Sequence, residues 1–266
     1  MPHLCGGAYG RLPGGEIEAL DPAGYGPITI SGTLSIVGVP GAAINAPSGG
    51  AGITINAHAS DAVHLQGLLI DGSGVGTTGI QFNSGGSLVV EDCVIRNLTN
   101  DGINIFNSAD TVQVLISNTL VADNGSYGIF VFPTGSGSVT AKFDHVEASN
   151  NYYDNIALEA DATSGTVTGT AFDTIAVGSP GPGEPAGAGF VAWGPASLNL
   201  YHSLSNYNYI GIVAYYGGTV RLYNSMVDEN EWGWITYSGG GVLSYVNNSI
   251  NGNRLFQDNP PTLGVK

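Results

Sequence analysis

The sequence predicts an all-β fold, a single-domain right-handed parallel β-helix of about nine coils, on three observations. First, a short motif of Gly, a large apolar residue, any residue and a second apolar residue recurs nine times. Its copies are GPITI (26–30), GITIN (52–56), GIQFN (79–83), GINIF (102–106), GIFVF (128–132), NIALE (155–159), GFVAW (189–193), GIVAY (211–215) and GWITY (233–237). Successive copies start 22 to 34 residues apart, the period of stacked solenoid repeats. Second, apolar and outward residues alternate with period two, which means strands, and no segment holds a capped helical period. Third, the 266 residues include 42 Gly, and only 10% are charged. Against the usual ~25%, that is too few to solvate a surface of amphipathic helices.

In chain order, residues 1–24 are expected to cap one end and 25–254 to form the β-helix. Residues 255–266, with Pro260 and Pro261, are expected to leave it as a polar tail. Within a coil the Gly motif forms one strand, and the second half repeats as VEDCVI, ISNTLV, FDHVEA, FDTIAV, YHSLSN, YNSMVD and VNNSIN. Parallel rungs stack ~4.8 Å apart, and parallel crossovers are right-handed. Aligning the second halves places Asp92, Asn118, Asp144, Asp173, His202, Asn224 and Asn248 in one column. Asn and Asp accept the left-handed backbone of a tight corner, so this column reads as a corner ladder, and His202 near Asp173 reads as part of it rather than as a catalytic dyad. The next column reads as Cys93, Thr119, His145, Thr174, Ser203, Ser225 and Ser249.

Six Lys and Arg against 21 Asp and Glu give a formal charge of −15. That excludes nucleic acid as a partner, because phosphate binding needs clustered bases, and it disfavours anionic membranes. No run approaches the ~20 apolar residues of a membrane span. Neither the histidines nor the two cysteines have metal-ligand spacing, and no cofactor or metal is expected. Cys93 lies in an apolar run and reads as a buried free thiol, with a Cys5–Cys93 bridge as the alternative. The start, MPHLCGGAYG, has no basic or apolar leader pattern. An exported protein with its leader already removed is expected, with a cytoplasmic one as the alternative.

The coil pattern resembles the right-handed parallel β-helices of the pectate-lyase-like superfamily. The segments GEIEALDPAGYGPITI, GIQFNSGGSLVVEDCVIRN and PPTLGVK are similar to a bacterial group of β-helix repeat proteins that are usually exported. The resemblance implies the fold, and a cleft on the Gly-motif strands with their preceding loops. It does not carry a reaction, because fold does not fix chemistry.

Period-two alternation sends Ile53, Ile80, Ile103, Ile129, Ile156, Phe190, Ile212 and Trp234 inward and motif positions three and five outward. The fifth-position column is Asn56, Asn83, Phe106, Phe132, Glu159, Trp193, Tyr215 and Tyr237. The third-position column is Thr54, Gln81, Asn104, Phe130, Ala157, Val191, Val213 and Ile235. A large exposed aromatic patch marks a binding site, here expected from Phe130, Phe132, Tyr153, Trp193, Tyr209, Tyr215, Trp232 and Tyr237, with Phe132, Trp193, Tyr215 and Tyr237 partly exposed. The insertion SPGPGEP (179–185) precedes the Trp193 strand and would frame the cleft. Asp154 and Glu159 are the candidate catalytic acids, since an apolar pocket raises a carboxylic acid toward neutrality. Strand rise alone puts them ~16 Å apart, too far for a glycosidase pair, so Asp154 would pair with a loop acid such as Glu184. Without a cationic clamp a uronate lyase is disfavoured. The expected ligand is a neutral glycan or other ring-containing molecule, bound and in one reading processed. A small-molecule cyclase or isomerase and a non-catalytic scaffold are the alternatives.

Overall fold

The computed structural model describes residues 14–107, 111–161, 165–181, 187–245, 247–255 and 260–261. Its regular elements are all strands, and they form three parallel sheets, so the chain is a β-solenoid. Sheet A has ten strands, from Gly15–Glu18 to Gly241–Ser244. Sheet B has ten, from Gly24–Tyr25 to Ser249–Asn251, and sheet C has nine, from Ile28–Ile30 to Trp232–Tyr237. The chain visits A, B and C in turn, and each strand pairs in parallel with its counterpart one coil away. All nine copies of the Gly motif fall on sheet C.

The solenoid begins earlier than the sequence reading placed it. Gly15–Glu18 already pairs with Leu34–Val37, and Gly24–Tyr25 with Ala43–Asn45. The alternating GEIE segment is therefore the first strand of sheet A, not part of a separate cap. At the other end Leu255 bridges in parallel to Trp232, so pairing reaches the first residue of the expected tail. Most of that tail, and residues 1–13 with Cys5, lie outside the described residues.

The inward column is buried as expected at Ile53, Ile80, Ile103, Ile129, Ile156, Phe190 and Ile212, while Trp234 on the last strand of sheet C is half-buried. Cys93 is buried, its Sγ donating to the Glu91 carbonyl at 3.1 Å, and burial pushes its thiol up to about 11. It is a free thiol.

The corner between sheets A and B is a left-handed column, but two of its members are one residue off the sequence alignment. Positive φ falls on Asp92, Asn118, His145, Asp173, His202, Asn224 and Asn247. Asp144 pairs with Phe172 and Ser117 on sheet A, so His145 takes the corner. The inward position that follows is then Val146, and Asn248, not Ser249, answers Ser225 by accepting its N–H at 2.8 Å. The FDH and FDT strings look alike, but the Phe143 and Phe172 rings occupy different positions of the strand.

A second polar ladder runs inside the solenoid, just past the corner from sheet B to sheet C. Asn124, Asn151, Ser179, Asn208, Asn230 and Asn253 are all buried there. Asn124 Nδ2 donates to Asn151 Oδ1 at 2.8 Å, Asn208 Nδ2 to Asn230 Oδ1 at 3.1 Å, and Asn230 Nδ2 to Asn253 Oδ1 at 2.9 Å. Each amide thereby satisfies buried groups of the next coil, as buried polar groups must be.

Candidate functional site

The outer face of sheet C changes character along its length. In the early coils it is polar: Gln81 donates to Asn83, and Asn83 donates to Asn56. Further on it is apolar, and Ala157, Ala188, Val191, Ile210, Val213, Tyr215 and Ile235 form a buried cluster separate from the main core. The half-buried Tyr127, Phe130, Trp193, Tyr209 and Trp232 pack against it. Period-two alternation correctly turned Ala157, Val191, Val213 and Ile235 outward. It did not anticipate that larger neighbours would cover these small side chains, which now make a buried floor. Tyr215, expected to be partly exposed, is only 8% exposed for the same reason, while Tyr237 at the end of the row is 45% exposed.

The expected ring residues do come together, in two groups. Tyr127 stacks on Phe130 at 4.2 Å, Phe130 runs parallel to Phe132 at 5.7 Å, and Tyr153 lies 5.1 Å from Tyr127. Further along, Trp193 meets Tyr216 at 5.3 Å and Tyr215 at 5.8 Å, and Tyr215 stacks on Tyr237 at 5.0 Å. Tyr209 and Trp232 pack onto the floor from the strand-entry side. Tyr127, one of the aromatics that the sequence places in the loops leading into these strands, precedes Gly128 as Asp154 precedes Asn155 and joins the first group. Tyr216 was missed because it follows the motif and sits on a left-handed turn with φ 49°.

Between these groups stands Glu159, paired across the rung with Trp193. It is half-buried, and its carboxyl has no hydrogen-bond partner among the described residues. Burial pushes its carboxyl up to about 7. Asp154 is 2% exposed and also raised, first by burial and then by the charge of Glu159. The two acids therefore share one electrostatic environment, although strand rise alone had separated them. Burial raises the hydroxyl of Tyr127 as well, and Glu159 and Asp154 raise it further. Asp154 Oδ1 accepts the Ala188 N–H at 2.7 Å. Asp101, in the equivalent position of an earlier coil, does the same for the Tyr127 N–H at 3.3 Å and takes the Asn104 amide at 2.7 Å. These two aspartates tie one coil to the next, whereas Glu159 is left to face outward. Among the described residues no basic side chain contributes to the field at Asp101, Asp154 or Glu159.

Other parts of the expected site resolve differently. Glu184 and most of the 179–185 insertion lie outside the described residues. Ser179 is an interior rung, its hydroxyl donating to the carbonyls of Asn151 and Tyr153. Glu231, near Trp232, is ion-paired with Arg254. Asp144, His145 and Asp173 offer ligand atoms within 4.8 Å of one another at the exposed corner, but the Lys142 ammonium sits 2.8 Å from Asp144 Oδ2. Among the described residues no helix is long and apolar enough to cross a membrane.

Fold and face together define a parallel β-helical protein whose third sheet carries a polar outer half and an aromatic, carboxylate-bearing outer half. The chain belongs to a family described as a domain of unknown function (DUF4957), whose sequence pattern matches residues 17–151, just over half of the chain. That match stops short of Asp154, so most of the aromatic half lies beyond it. No curated protein and no solved structure matches the chain.

Proposed function

We propose that the aromatic half of sheet C binds a neutral, ring-containing ligand, a glycan in the first instance, and that Glu159 exchanges any proton the ligand's chemistry requires. The observation that carries this reading is Glu159 itself: an outward carboxyl near neutrality, without a hydrogen-bond partner among the described residues, beside the half-buried Trp193. A carboxyl whose pKa lies near the working pH is suited to general acid–base work, and flat aromatic faces stack on sugar rings. Asp154 is a positioning group in this scheme, because its oxygen holds the Ala188 N–H, and the charge of Glu159 acts on it through space. The likeness of the coil pattern to pectate-lyase-like β-helices supports a saccharide, and the likeness to usually exported bacterial β-helix repeat proteins supports an exported setting. The acids of this face have no base among the described residues in their field, which argues against a uronate.

The buried floor favours contact along the aromatic rim over a deep groove. It also supports a second reading, a scaffold whose aromatics serve packing alone. Binding to an array of neutral glycans, repeated with Trp193→Ala and Glu159→Gln, separates the two. The ligand reading expects Trp193→Ala to lose binding, and Glu159→Gln to keep binding but lose any turnover. Unaltered binding in a less stable Trp193→Ala protein would establish the scaffold.

A further inference from the structure

Resting on the ring-binding reading above but departing from it in the ligand's charge, we propose that the preferred ligand is a cationic rather than a neutral sugar, an amino sugar with a free, protonated amine, seated on Trp193 with its ammonium against the Glu159 carboxylate. Three acids, Asp101, Asp154 and Glu159, occupy the outer side of sheet C. Two are already answered by backbone N–H donors, Asp101 by Tyr127 and Asp154 by Ala188. Glu159 is not, and among the described residues no cation contributes to the field at its carboxyl. Half-burying a carboxyl without a partner is costly, and an uncharged sugar stacked on Trp193 would deepen that cost by removing more water. An ammonium would supply the missing partner through a charge-assisted hydrogen bond.

The surroundings suit the same cation. Trp193 and Tyr216 present ring faces 5.3 Å apart, on the side of Glu159 toward the later coils, and Phe132 lies in the column on the other side. Aromatic faces attract a cation by their quadrupole, most strongly where water is scarce. The formal charge of −15 draws cations toward the molecule and repels anionic sugars. Binding moves one proton: the Glu159 carboxylic acid ionises, its proton goes to the buffer, and the ammonium stays protonated in the complex.

The test titrates the whole protein with a glucosamine tetrasaccharide and with its N-acetylated counterpart, which has the same rings but no charge, at a mildly acidic pH. The expected result is at least about tenfold tighter binding of the amine form. Net proton release should accompany it, read from the dependence of the binding heat on buffer ionisation. Glu159→Gln should abolish both the preference and the proton release while keeping the weaker binding common to the two ligands. Should that variant fail to fold, added salt takes its place, weakening the amine form and sparing the acetylated one. Equal or tighter binding of the acetylated tetrasaccharide overturns the amine proposal and leaves the ring-binding reading standing. Binding of neither overturns both.

Discussion

Two rows of aromatic rings run down this molecule, one on sheet A and one on sheet C. On sheet A, Phe172, Tyr201, Tyr223 and Tyr245 stack in register at 4.9, 4.4 and 4.2 Å, with planes within 15° of parallel. On sheet C the ring pairs run from parallel to an interplanar angle of 70°, and Glu159 interrupts the row between Phe132 and Trp193. The first row spends its faces on itself, because each coil places a ring directly over the last. The second does so only in part: Tyr215 lies flat on Tyr237, but Glu159 breaks the column, and small floor residues such as Ala157 flank the rings along the strands. Aromatic periodicity alone thus identifies no binding face; what distinguishes the second row is the unanswered carboxyl and the buried floor.

The comparison can be broken most severely at the floor. Val213→Asp places a charge where nothing is exposed, and should cost about 3 kcal/mol or more. Asn199→Asp, at an outward position of sheet A, should stay within about 0.5 kcal/mol. Urea midpoints of the two variants check this, and equal values would mean that the sheet C face is not a second core. The two rows themselves should separate stability from binding. Trp193→Ala should weaken ligand binding by about 1–3 kcal/mol with a small loss of stability. Tyr201→Ala, which removes a ring stacked on both sides, should cost about 1–2 kcal/mol of stability and leave binding unchanged. Paired titrations and melts decide it.

A smaller effect follows from pH. The folded Glu159 carboxyl lies at about 7 against an ordinary 4.5, so the folded state holds its proton longer than the unfolded chain does. Its contribution is complete below about pH 4.5 and is lost as pH rises through about 7. Glu159→Gln should flatten that part of the decline, by roughly 1–2 kcal/mol once its partial exposure is allowed for. Asp154, shifted the same way, should keep some slope in the variant, and thermal melts at several pH values measure the difference. Smallest of all, His202→Ala at the exposed corner should change stability by no more than about 0.5 kcal/mol and binding not at all. Its imidazole stands 4.0 Å from Asp173, and both are well exposed.

The fold was legible because one signal, alternating apolar residues led in by Gly or, at 155–159, by Asn155, repeats in every sheet C strand. The corner was legible in kind but not in register. Asp144 and His145 are both acceptable corner residues, and only the pairing of Lys142 with Thr170 fixes which one turns. The interior ladder was not legible, since Asn124, Asn151 and Asn208 sit in segments whose polarity reads as loop. Asp154 and Glu159 were both singled out from sequence. Their coupling was not, because backbone rise measures Cα separation and says nothing of where two flexible carboxyls point. The row on sheet A escaped notice because its rings precede the corner residue and fall outside the Gly motif.

The interior asparagine ladder also bears on how such a chain can change its length. Asn208 bonds to Asn230 and Asn230 to Asn253, steps of 22 and 23 residues. The two steps differ by one residue, so the corners between strands absorb small changes of length while each amide keeps its place. Only a change that moves an amide itself out of its place in the rung would leave its buried partner unsatisfied. Length variation in this molecule therefore belongs to the corners and loops, and the ladder fixes where each turn must return.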